Sequence, residues 1–288
     1  MNEQLNRYQL RNRYQFKGSL VMLTALHIGG GNKYTLSQSD SPVVLTPTGV
    51  PFIPGSSFKG ALRSTVEKLV PSLPASARLT SCGLPGKDEP QNPCPTAHQQ
   101  SLAQWRRNTQ MEKGPGAVDE LMDNELQRLC NTCQLFGSPF AAAHVNVQDL
   151  YIPIEQWSGV IQVRDGVAID RDSEKAKDRL KYDFEVVPPG TPFDLTITLE
   201  NATLQDLQLI SVGLSEFVHG EGVLGGLRSR GLGACRLEKL VVSTLELDNV
   251  DEAVRNRRLK NYLLNRQFAE EIEGQKFLAQ YIGTLFND

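Results

Sequence analysis

The sequence predicts an α+β fold with the element order β-α-β-β-α-β, the split arrangement of ferredoxin-like and RNA-recognition-like sheets. Apolar residues at even spacing mark strands at "YQFKGSLVMLTALHI" (Phe16, Leu20, Met22, Leu26, Ile28) and, most cleanly, at "TPFDLTITLEN", where Phe193, Leu195, Ile197 and Leu199 share a face. Two other stretches repeat at helical spacing: Phe58, Leu62, Val66 and Leu69, then Leu207, Ile210, Leu214, Phe217 and Val218. The chain order of these segments yields the fold.

The first strand ends in turn chemistry at Gly29, Gly30 and Gly31. The segment "GSSFKGALRSTVEKLVP" predicts a helix with Ser56 or Ser57 as N-cap and Pro71 as a stop. Gly60 inside it costs about 1 kcal/mol against alanine, which points to a close approach. Residues 71–145 are rich in proline, glycine and glutamine and form an insertion, with a helical stretch at "AVDELMDNELQRLC". Alternation returns at "GVIQVRDGVAID", and the charged loop "RDSEKAKDRLKYD" sits on a hairpin spanning 160–190. The second helix stops at Gly220, and "GACRLEKLVVSTL" is the last core strand. Residues 14–245 thus make one domain, followed by a charged helical extension over 246–288.

A chain of 288 residues that is 40% hydrophobic buries a substantial core. Its formal net charge of -3 excludes a protein that coats nucleic acid by bulk charge, so any phosphate contact must come from local basic patches. No run of eighteen apolar residues occurs and the N-terminal stretch lacks a signal-peptide core, which predicts a cytoplasmic protein with no membrane contact. Five cysteines in such a chain suit metal ligation better than disulfides.

Among the motifs, "GEGVLG" matches a dinucleotide fingerprint but follows a helix and precedes a strand, the reverse of what that mechanism requires. "GSSFKG" lacks the lysine and hydroxyl placement of a phosphate loop. What remains is a helix N-terminus at Gly55, Ser56 and Ser57, with Lys59 and Arg63 one turn apart, able to hold a phosphodiester or simply to form a capped, solvated basic face. The loop "GGLRSRGLG" adds Gly225, Gly226, Arg228, Ser229 and Arg230, whose backbone and guanidinium donors suit phosphate, although a glycine-rich surface turn would read the same way. Cys130 and Cys133 form a CxxC, and with Cys82 and Cys94 upstream they predict a structural Zn²⁺ site in a segment that has little core of its own, with His98 as a substitute for Cys82 or Cys94; the irregular spacing of the upstream pair also suits plain reduced cysteines in a loop. Cys235 reads as core, Trp105 and Trp157 as packing, and His27 and His144 as no more than candidate RNA contacts, without triad or zincin partners.

The segments "HIGGG", "DSPVV", "TGVPFIPGSSFKGALRS", "CNTCQLFGSP", "VRDGVAIDRD", "YDFEVVPPGTPFDLTITLEN" and "GGLRSRGLGACRL" occur in an order that resembles RAMP-superfamily proteins, most of all the backbone subunit of type III CRISPR effector complexes. The resemblance implies a modified RNA-recognition "palm" with a hairpin "thumb", in which the "PGSSFKGALR" helix and the glycine-rich loop hold guide RNA. Arg164 lies in the segment resembling the thumb, which wedges into the guide:target duplex, and sequence is then read by base pairing. Asp40 matches the aspartate that cleaves target RNA with a divalent cation such as Mg²⁺; an aspartate in "SDSP" also suits a plain turn. The implied partners are guide RNA, target RNA and neighbouring subunits of the complex. The alternatives are a guide-holding scaffold that does not cut, a guide-processing endoribonuclease working through His27 without metal, and a zinc-stabilised interaction protein.

Overall fold

The computed structural model describes residues 9–30, 39–83, 92–114, 125–169 and 176–286. Gly31, most of the loop leading to Asp40, most of the helix expected at 117–130 and the tip of the hairpin lie outside these residues. In chain order the strands are β1 (Asn12–Met22), β2 (Phe52–Ile53), β3 (Val145–Val147), β4 (Leu150–Tyr151), β5 (Gln162–Ile169), β6 (Ala176–Val186), β7 (Pro192–Glu200), β8 (Gly222–Val223), β9 (Ala234–Glu246) and β10 (Glu270–Glu273). The helices are α1 (Gly55–Leu69), α2 (Gln99–Lys113), α3 (Asn131–Phe136), α4 (Leu204–His219), α5 (Glu252–Asn265) and α6 (Gly274–Gly283).

The main sheet runs β10-β9-β1-β7-β3, with β8 attached to β9 and the neighbours antiparallel. Counting only β1, β3, β7 and β9, the order is fourth-first-third-second, as the split β-α-β pattern requires. The alternation expected of β7 is present: Phe193, Leu195, Ile197 and Leu199 are buried in the core while Asp194 and Glu200 are exposed. Helices α1 and α4 share that core. Phe58 of α1 packs on Phe217 of α4 with ring centroids 5.0 Å apart. Gly213 of α4 admits Leu62 and Val66 of α1 so closely that an added Cβ would sit 2.7 Å from each side chain. Fully burying a side chain such as Phe58 stabilises by about 1.5–3 kcal/mol relative to exposure.

Four expectations change. The second core strand is the short β3, while β5, from "GVIQVRDGVAID", pairs with β6 in a sheet of its own. Ser56 and Ser57 do not cap α1: Pro54 occupies the N-cap position, and the Gly55 N–H donates to Asp149 Oδ1 at 2.8 Å, so the cap comes from the β3–β4 turn. The charged loop of the hairpin is shorter than expected, because Ala176–Val186 is strand β6. The tail is not purely helical: β10 pairs with β9, and Phe277 of α6 enters the core against Phe16 at 5.4 Å. Among the described residues, no helix is long and apolar enough to cross a membrane.

Candidate active site and metal centre

Three chain segments meet where the β5–β6 hairpin joins the main sheet. Residues after β1 form isolated bridges with the segment following Asp40 and with the chain just beyond β6: Gly29 with Val43, and Leu26 with Val187. Ser41 bridges Phe184 of β6 itself. Glu185 fastens the joint, since its N–H donates to the Ser41 carbonyl at 3.0 Å and its Oε2 accepts from the Val43 N–H at 3.0 Å. His27 is buried beside it. Its Nδ1 lies 2.7 Å from the Glu185 carbonyl, which only accepts, so Nδ1 carries a proton and Nε2 faces Ser41 Oγ at 3.3 Å.

Asp40 is exposed at this joint and has a partner that the sequence does not reveal. Its N–H donates to Asp183 Oδ1 at 2.6 Å, and its own Oδ2 accepts from the Asp183 N–H at 3.2 Å. The two carboxylates therefore hold each other's backbones in a reciprocal pair, and the loop carrying Asp40 is tied to β6. Asp165 sits opposite Asp183 in the hairpin register.

The glycine-rich loop closes over the same joint. The Gly226 N–H donates to the His27 carbonyl at 2.9 Å, and Gly225, at φ +76, lies so close that an added Cβ would sit 2.3 Å from that oxygen. Arg228, Ser229 and Arg230 are exposed; Arg228 Nε donates to the Gly225 carbonyl at 3.0 Å, and the Arg230 guanidinium lies 5.5 Å from the Tyr182 ring centre. Tyr182 covers Gly166 and stacks near Phe184, linking hairpin to loop. Arg164 is exposed on β5, opposite Phe184. Thus Asp40, His27, Arg164, Gly225, Gly226, Arg228 and Arg230 belong to one neighbourhood.

The first helix is placed differently. Gly55 is packed against the backbone of Val147 and Gln148, Ser56 is exposed, and Ser57 is half-buried. Lys59 donates to the Val145 carbonyl at 3.2 Å; burial, then the Arg63 charge, lowers its pKa. Arg63 turns inward toward Glu67, Gly137 and Cys133. Among the described residues, no hydrogen bond or ion pair joins Lys59 or Arg63 to the 225–230 loop. Helix α1 and the strand leading into that loop both reach α4, through Phe58 and Gly222 against Phe217.

Cys82, Cys94, Cys130 and Cys133 gather with their sulfurs within 4.8 Å of one another, a set able to hold a metal ion. Hydrogen bonding with Cys130 holds the Cys94 thiol low and brings Cys133 down to about 7, while Cys82 and Cys130 are held up, Cys82 by Cys130 and Cys130 by Cys133. His98 is outside the group, its Nε2 facing the Asn92 carbonyl. Cys235 is core, and burial pushes its thiol up to about 12.

A model of the RAMP superfamily matches residues 19–236. The chain belongs to the RAMP superfamily. It is 25% identical over 239 residues to the Streptococcus thermophilus protein described as CRISPR system Cms endoribonuclease Csm3, covering 81% of this chain and 90% of that one. Proteins of the same description from Enterococcus italicus and Methanothermobacter thermautotrophicus are 42% and 38% identical over 65 and 61 residues, covering 22% and 20% of this chain and 30% and 25% of theirs.

Proposed function

We propose that this RAMP protein is a backbone subunit of a type III CRISPR effector complex, holding guide RNA and cleaving complementary target RNA at Asp40. The observation that carries the reading is the Asp40–Asp183 pair, which fixes an exposed carboxylate at the junction of hairpin and sheet, in the neighbourhood of Arg164 and Arg230. The Csm3 descriptions of its relatives support the same activity. The β5–β6 hairpin acts as the thumb, the exposed 225–230 loop holds the guide backbone, and the Gly55–Ser57 start of α1, where Ser56 is exposed, offers a separate contact. His27, packed between Glu185 and Ser41, supports the 225–230 loop from beneath.

In the proposed reaction the ribose 2'-OH next to a displaced base attacks the adjacent phosphorus in line, a 2',3'-cyclic phosphate forms as the P–O5' bond breaks, and the leaving 5'-oxygen takes a proton from water. Asp40 assists removal of the hydroxyl proton, and Asp183 keeps the Asp40 loop in place. A bound divalent cation would supply charge stabilisation to the phosphoryl oxygens. The four cysteines form a structural Zn²⁺ site: tetrahedral Zn–S bonds of about 2.3 Å separate sulfurs by about 3.8 Å, which the observed cluster can accommodate. The test is target cleavage by the assembled complex carrying Asp40→Ala. Lost cleavage with guide retained supports the reading, and unchanged cleavage defeats it in favour of a scaffold.

A further inference from the structure

Lys59 and Arg63 occupy the same flank of α1, but the Lys59 ammonium donates to the Val145 carbonyl whereas the Arg63 guanidinium is wedged between α1 and α3. Nε donates to Glu67 Oε1 at 2.8 Å, Nη1 to the Gly137 carbonyl at 2.9 Å and Nη2 to Cys133 Sγ at 3.3 Å. The Arg63 and Glu67 side chains are 14% and 10% exposed. For Arg63 to reach a phosphate, all three bonds would have to break.

We propose that Arg63 is a positioning residue for the cysteine metal centre, donating to the Cys133 sulfur and tying that centre to α1. The proposal rests on the zinc reading of the four cysteines. Four thiolates around Zn²⁺ carry a net charge of about -2, in a cluster where Cys94, Cys130 and Cys133 are buried. A guanidinium is always charged and holds its donors in a fixed fork, so it offsets that charge while fixing the sulfur's direction. Glu67 pairs with the same guanidinium at 2.8 Å and so shares its charge with the sulfur.

The test follows zinc release from the full-length chain to a chromophoric chelator. Arg63→Gln is expected to speed release by about 10- to 100-fold, whereas Glu67→Gln, which leaves the guanidinium on sulfur, does not speed it. With cobalt in place of zinc, the sulfur-to-metal charge-transfer band shifts in Arg63→Gln and not in Glu67→Gln. If Arg63→Gln fails to fold, Arg63→Lys, which keeps the charge but loses the fork, must still release faster than Glu67→Gln. Wild-type release from the Arg63 variants, or equal acceleration in the Arg63 and Glu67 variants, overturns the proposal. A wild-type chain that takes up neither zinc nor cobalt overturns the zinc reading itself.

Discussion

His144 Nδ1 lies 3.0 Å from Asp206 Oδ2, and the same carboxylate accepts from the Thr203 N–H at 2.9 Å in the capping box of α4. The Asp206 hydrogen bond raises the His144 pKa against an opposing contribution from burial. A raised folded value means the imidazolium stabilises the fold fully below the unfolded value of about 6.5, and this contribution is lost as pH rises through the folded value. His144→Asn should therefore lower the denaturant midpoint more at acidic than at alkaline pH; a pH-independent difference contradicts the assignment. At this scale the sequence is only partly legible. Asp40 stands out by resemblance, but Asp183 lies 143 residues away and becomes its partner only when β6 folds onto the loop. Helical spacing shows that Lys59 and Arg63 share a flank, but the contacts of Arg63 with Glu67, Gly137 and Cys133 become visible only in the fold.

At the level of elements, α1, α4 and β7 are readable because each buries one periodic face. β10 is not: Glu270–Glu273 has one apolar residue, and pairing with β9 makes it a strand. The cap of α1 is also hidden, since Asp149 is 94 residues from Gly55. That turn presses closely on the helix start, where a Cβ on Gly55 would lie 2.3 Å from the Val147 carbonyl oxygen. Gly55→Ala should then cost about 1–3 kcal/mol in urea unfolding and weaken guide binding; wild-type stability would show that the turn yields freely.

For the molecule as a whole, the tail completes the core instead of extending beyond it. Phe277 packs on Tyr14 and Phe16, and β10 covers the edge of β9. Phe277→Ala should cost about 3–5 kcal/mol, measured by urea unfolding; a loss below about 1 kcal/mol would mark the tail as separable. The sheet order and the joint around Glu185 together place Asp40 beside the hairpin, and the proposed activity depends on that placement. The most direct measurement is single-turnover cleavage of complementary RNA by assembled complexes carrying wild-type protein, Asp40→Ala or Asp183→Ala. The rate should fall by about 10²- to 10⁴-fold for Asp40→Ala and by up to about 10²-fold for Asp183→Ala, with target affinity unchanged. Cleavage by Asp40→Ala at the wild-type rate would contradict the account.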